Sequence, residues 1–166
     1  MTKKKIIIFC LAIIAVFAVG AYGYLNRGVT VYADELQPKK IASNSSCANT
    51  CVFIWSINCS ACVYSLPHLN ILQQHLAMNN GKLVFVLEED NPVLRKMARA
   101  YFIRLNMTNT KTYYDKKHAL QKRYKVNAYP TMLVFNNKGK LVKKIEGFVP
   151  WAQGEKVQEI LNLLNG

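Results

Sequence analysis

After residue 50 the chain alternates between short apolar runs and stretches with helical spacing, and this alternation constrains the fold more than any other feature. Val52 to Trp55 is a β-type run, and from Ser60 to about Met78 the residues Leu66, Leu69, Leu72 and Leu76 fall on or near one helical face. Leu83 to Leu87 is a second buried-type strand. Asn91-Pro92 joins a capping side chain to a first-turn proline and predicts a helix start leading into Val93 to Ile103. A further helix is predicted over Asp115 to Tyr124. Thr131 to Phe135 and Leu141 to Ile145 flank Asn136-Asn137-Lys138-Gly139-Lys140, a hairpin signal, and Trp151 to Leu164 closes the chain as an amphipathic helix. The order β-α-β-α-α-β-β-α predicts one α/β domain over residues 50–166, a mixed central β-sheet flanked by helices.

Two segments precede that domain. Lys3, Lys4 and Lys5 lead into an uncharged run from Ile6 to Leu25, and these twenty positions are enough to span a hydrocarbon core of about 30 Å as a helix. Residues 1–25 are therefore expected to be a transmembrane anchor or a signal helix, with the lysines cytoplasmic and the domain exported. The length of the run favours an anchor, while Ala21-Tyr22-Gly23 and Val31-Tyr32-Ala33 are the cleavage sites a signal peptide would use. Cys10 has no small residue before it and does not read as a lipidation site. Residues 26–49 form a polar linker, in which Val29-Thr30-Val31 is short-strand material.

The formal charge is +13, from 22 Lys and Arg against 9 Asp and Glu, and removing the three leading lysines still leaves the remainder strongly basic. These charges are scattered over several helices and the hairpin, with no Arg/aromatic stripe or nucleic-acid motif, so no nucleic-acid partner is expected. A solvated face beside a membrane accounts for them.

Cys59-Ser60-Ala61-Cys62 falls where a strand ends and a helix begins. Unpaired N–H groups and the helix dipole favour an anion there, which draws a cysteine from its ordinary pKa of about 8.5 toward its reactive thiolate. Cys62, one turn on, is within reach of a disulfide with Cys59. Cys47 and Cys51 add a second pair. They fit a disulfide stapling the linker to the first strand, a second redox pair, or half of a four-cysteine metal site. Against the last, no histidine lies near Cys47 or Cys51, and His68, His75 and His118 read as solvated helix residues. No metal or other cofactor is assigned.

Trp55-Ser56-Ile57-Asn58-Cys59-Ser60-Ala61-Cys62, with Pro67 five residues later, resembles the W-x-x-x-C-x-x-C-x-x-x-x-P segment of the TlpA-like thioredoxins, which include the ResA branch. Val126-Asn127-Ala128-Tyr129-Pro130-Thr131 is similar to their V-x-x-x-P-T segment, and the hairpin and Gly147 follow in the family's order. The resemblance implies a thioredoxin fold with Cys59 and Cys62 as the catalytic, redox-active disulfide. It implies a cis Tyr129–Pro130 bond beside them, and Tyr129 and Pro130 as the substrate-binding edge. Trp55 is expected either to cover the site as a substrate contact or to pack in the core, and Pro67 to bend the long helix. Three positions depart from the pattern. Ser65 stands where a Glu often follows the second cysteine, Phe53 where thioredoxins carry a buried Asp, and Asn58 where a second Trp is common.

The function expected from these residues is an exported, membrane-tethered thiol–disulfide oxidoreductase, a reductase rather than an oxidase or isomerase. Its substrates would be cysteine-containing exported proteins, and its electrons would come from a membrane thiol-reducing donor. The alternative is a periplasmic or cell-surface protein that handles copper or zinc through its paired cysteines.

Overall fold

The computed structural model describes residues 34–35, 48–88, 91–107 and 110–166. In chain order its elements are β1 (Asp34–Glu35), β2 (Thr50–Trp55), α1 (Ser60–Met78), β3 (Lys82–Leu87), α2 (Pro92–Arg104) and β4 (Lys111–Tyr114). A 3-10 turn over Lys116–His118 follows, then α3 (Ala119–Tyr124), β5 (Thr131–Phe135), β6 (Leu141–Glu146) and α4 (Gly154–Asn165). The six strands form one sheet in the order β1-β4-β3-β2-β5-β6. Pairing is parallel from β1 through β4 and β3 to β2, and antiparallel from β2 through β5 to β6. This is the mixed sheet with flanking helices that the periodicity predicts.

Every residue of β2 is buried, as a central strand covered on both faces must be. Cys51, Phe53 and Trp55 face one side with Phe85, Leu87, Met132 and Val134 from neighbouring strands. Onto that side pack Leu66, Leu69, Leu72 and Leu76 of α1, Ala98 and Phe102 of α2, and Val157, Ile160 and Leu164 of α4. Each leucine so buried contributes about 1.5–3 kcal/mol. Phe102 meets Phe85 and Trp55 edge-on at centroid distances of 5.1 and 5.8 Å, which ties α2 to the sheet. Val52, Ile54, Val86, Leu133 and Phe135 face the other side, where Leu120 of α3 joins them.

The helix starts follow local chemistry. The Asn91 side chain accepts from the Val93 N–H at 2.9 Å, with Pro92 in the first turn, as the sequence predicts for α2. Pro67 lies inside α1 on its exposed side. The third predicted helix begins later than its spacing indicates, because the Asp115 carboxylate accepts from the Leu120 and Gln121 N–H groups at 2.8 and 3.0 Å. Asp115 therefore caps α3 from outside it. The last helix starts at Gly154, since Trp151 is buried in the turn that precedes it.

Two strands go beyond the predicted order. β4 extends the parallel half of the sheet, and β1 pairs with it from within the segment read as linker. The expected membrane or signal helix over residues 1–25, and the Val29-Thr30-Val31 strand, lie outside the described residues. Among the described residues no helix is long and apolar enough to cross a membrane.

Candidate active site

Strand register brings the site together. Trp55 ends β2 opposite Leu87 at the end of β3, Ile54 pairs with Thr131 at the start of β5, and Thr131 pairs with Glu146 at the end of β6. The segments leaving β2, β3 and β6 and the one entering β5 therefore share one end of the sheet.

At that end Ser56–Asn58 turn the chain into α1. The Cys59 N–H donates to the Ser56 carbonyl at 3.3 Å, and the Asn58 N–H to the Ser56 hydroxyl at 3.2 Å. Cys59 is thereby the N-cap residue of α1, extended at φ −98° and ψ 107°. A cap normally offers an oxygen to the first orphan N–H groups. Here the cap is sulfur, and the Cys62 N–H points at Cys59 Sγ at 3.1 Å. Cys59 and Cys62 form a disulfide across a Cα–Cα distance of 5.2 Å. Cys62 has no exposed surface, whereas Cys59 is half-buried, so of the two cysteines only Cys59 is open to a partner.

The Tyr129–Pro130 peptide is cis. Pro130 is buried, and its carbonyl accepts from the Gly147 N–H at 2.8 Å. Gly147 sits at φ +86°, a left-handed value that side chains other than glycine's adopt at a cost. Tyr129 is half-buried and packs against both core clusters, one of which contains Cys62. Its phenol donates to Gln121 Oε1. Gln121 Nε2 reaches the Glu88 carbonyl at 3.4 Å and lies 2.9 Å from His118 Nδ1. Burial, the charge and hydrogen bonding of the Glu88 carboxylate, and the charge of Asp115 all hold the Tyr129 phenol well above its ordinary pKa, so it stays protonated as a donor.

Of the residues singled out in the sequence, Cys59, Cys62, Tyr129 and Pro130 meet at this end. Trp55 does not reach the surface. It has no exposed area and lies edge-on to Phe102, because the side chains of Cys51, Phe53 and Trp55 all point into the helix-covered face of β2. Its place is the core beneath the site, and it is not a substrate contact. Cys51, read as one half of a second pair, is a free and fully buried thiol, with its pKa pushed up to about 12 by desolvation. Cys47 lies outside the described residues.

The positions that depart from the family pattern are filled in other ways. Phe53 stacks edge-on against Phe85 at 5.9 Å, and the Ser65 hydroxyl donates to the Ala61 carbonyl one turn back. Glu88 and Asp115 are the acids whose charge bears on Tyr129. Neither they nor Gln121 were marked by any sequence motif, since the strand ends bring them together. His68 is half-buried between aromatic rings, and His118 is exposed. Among the described residues no group of three or more His, Cys, Asp or Glu is placed to hold a metal ion.

The sequence finds no match among curated proteins. Solved structures share the fold. A Chlorobium tepidum protein assigned as the thiol:disulfide interchange protein DsbE superposes with a TM-score of 0.61 at 21% identity, over 74% of this chain and 84% of its own. The pneumococcal exposed lipoprotein thioredoxin of Streptococcus pneumoniae gives 0.57 at 22% identity, over 71% and 87%. StoA of Bacillus subtilis gives 0.52 at 21% identity, over 69% and 80%. A family model described as thioredoxin-like matches residues 49–141, more than half the chain and the whole span from β2 to the start of β6. The sulfur-capped helix, the Cys59–Cys62 pair and the cis proline all fall inside that match, and the chain belongs to the thioredoxin-like family.

Proposed function

We propose that the chain is a thiol–disulfide oxidoreductase working on cysteines of exported proteins, in the reducing direction, from a membrane-tethered position outside the cytoplasm. One observation carries the reading: a disulfide at the start of α1 whose first cysteine is partly exposed and whose second is wholly buried. That asymmetry supports different roles for the two cysteines. The Cys59 thiolate attacks one sulfur of a substrate disulfide, forming a mixed disulfide and releasing the other substrate sulfur as a thiolate that takes up a proton. The Cys62 thiolate then attacks Cys59 Sγ and releases the second substrate thiol. The protein is left as the Cys59–Cys62 disulfide, two electrons poorer, and a dithiol donor at the membrane returns it to the reduced state. Tyr129, held through its phenol, offers its backbone to an extended substrate segment while Pro130 presents no N–H of its own.

The names of the structural neighbours, an interchange protein and an exposed lipoprotein thioredoxin, support the activity and the extracytoplasmic placement. The apolar run after Lys3, Lys4 and Lys5 supports the tether. Trapping in the native compartment tests the reading. Full chain carrying Cys62→Ser is expected to accumulate mixed disulfides through Cys59 with exported proteins, all released by a reducing dithiol. Absence of adducts under both oxidising and reducing conditions refutes it.

A further inference from the structure

Three rings meet on the surface beside the disulfide, and the exchange chemistry makes no use of them. Tyr64 and His68 are four residues apart on α1 and so are neighbours on one helix face. Phe148 comes from the segment that leaves β6. The centroid distances are 5.1 Å for Tyr64–Phe148, 5.6 Å for Tyr64–His68 and 5.7 Å for His68–Phe148, each pair tilted or edge-on. Such clusters are ordinarily core. Here Tyr64 remains 64% and Phe148 40% exposed, on a chain with 22 Lys and Arg against 9 Asp and Glu.

Their position links them to the site from two sides. Tyr64 is five residues beyond Cys59, about 7.5 Å along the axis of α1 at about 1.5 Å per residue. Phe148 directly follows Gly147, whose N–H is bonded to the Pro130 carbonyl at 2.8 Å. One wall of the patch is therefore the helix that carries the accessible sulfur, and the other is the loop fastened to the cis proline.

We propose that Tyr64, His68 and Phe148 form a subsite for an aromatic or large aliphatic side chain of the polypeptide whose disulfide meets Cys59, two residues from its cysteine. The inference rests on the exchange reading and adds the substrate class. In an extended segment, residues two apart project to the same side and are spaced by about 6.6 Å. A substrate strand aligned along Tyr129 with its cysteine over Cys59 thus spaces its next same-side residue from that cysteine by about the separation of Tyr64 from Cys59. The patch offers that residue aromatic faces and edges, with no carboxylate among its three side chains. An apolar group gains by leaving water there, and a further ring gains from a tilted contact as well.

The test uses the full chain and two disulfide-bonded peptides that differ only in Phe or Ser two residues from the cysteine. The wild type is expected to show a KM about tenfold lower for the Phe peptide, the size of one good ring contact plus its desolvation. The Tyr64→Ser, Phe148→Ser double variant should bring the two KM values together. Tyr64→Leu with Phe148→Leu, which keeps an apolar surface, should retain most of the preference and so separates loss of the subsite from loss of the fold. A wild type that reduces hydroxyethyl disulfide but treats both peptides alike overturns the subsite and leaves the exchange reading standing. If the wild type exchanges with no disulfide, that reading falls, and the subsite is judged by binding. NMR shifts of Tyr64 and Phe148 with a cysteine-free Phe peptide, absent with its Ser counterpart, uphold the subsite, and equal response to both overturns it. Concentration-dependent self-association abolished by the double Ser variant would assign the patch to a second copy and overturn it too.

Discussion

Reduction of the Cys59–Cys62 disulfide is expected to lower the stability of the fold by about 1–1.5 kcal/mol. Two terms oppose one another. The cross-link closes a loop between residues three apart in sequence, and by the loop-entropy relation a loop that short constrains the unfolded chain by about 2 kcal/mol. Reduction removes that term but frees a thiolate at the N-terminus of α1, where the helix dipole returns about 0.3–1 kcal/mol. The Cys62 N–H aimed at Cys59 Sγ belongs to the second term, because its hydrogen bond strengthens as the sulfur gains charge. Loop closure exceeds the dipole term, so the oxidised fold is the more stable one. By the thermodynamic cycle, the folded pair is then harder to reduce than the same pair in the unfolded chain, by about 20–30 mV. That is the sign a reductase requires. Urea unfolding of the full chain in mild detergent, oxidised and with excess dithiol, measures the difference directly. A reduced form more stable than the oxidised one would mean that thiolate stabilisation outweighs loop closure. That result, the behaviour of an oxidant, would refute the reasoning and the reducing direction with it.

Three further outcomes are expected. Phe102→Ala should cost about 3–5 kcal/mol in denaturant unfolding, because the ring is fully buried between Phe85 and Trp55 and its removal leaves a cavity under the site. Asp115→Ala should cost about 1–2 kcal/mol, since two N–H groups at the start of α3 lose their acceptor, and circular dichroism with urea titration would read it. Burial pushes the Cys51 thiol up to about 12, well above its ordinary value, so in the window between the two the folded state holds a proton that the unfolded chain has lost. Its contribution is complete below the unfolded value and is lost as pH rises, at about 1.4 kcal/mol per pH unit through the window. Comparing stability against pH for wild type and Cys51→Ala checks this, with the variant expected to show the shallower alkaline decline.

Much of this architecture was legible because single-segment periodicity carries it. β2, α1, β3, α2 and the β5–β6 hairpin each announce themselves through apolar spacing or turn chemistry, and the structure places them where the sequence predicts. β4 does not, since Lys-Thr-Tyr-Tyr becomes a strand by pairing with β3 and has no pattern of its own. β1, two residues long, is defined wholly by its partner. In the site, the cysteine pair and Tyr129-Pro130 were legible from motif spacing. The support for Tyr129 was not, because Gln121 and Glu88 approach it from separate elements. The Tyr64–His68–Phe148 cluster was not legible, because Phe148 reaches the two α1 residues only once β6 has aligned with β5. For Trp55 the motif left open a place over the site or in the core, and strand alternation on β2 puts it in the core.

Cys59 is the attacking sulfur in the proposed exchange, and differential alkylation tests that most directly. The full chain, reduced and then treated briefly with iodoacetamide at neutral pH, is digested and its cysteines quantified by mass spectrometry. Cys59, half-exposed at the start of α1, should be labelled at least about tenfold faster than Cys62 or Cys51, which have no accessible surface. Labelling of Cys62 at the same rate, or a Cys59 that stays unmodified, would contradict the assignment.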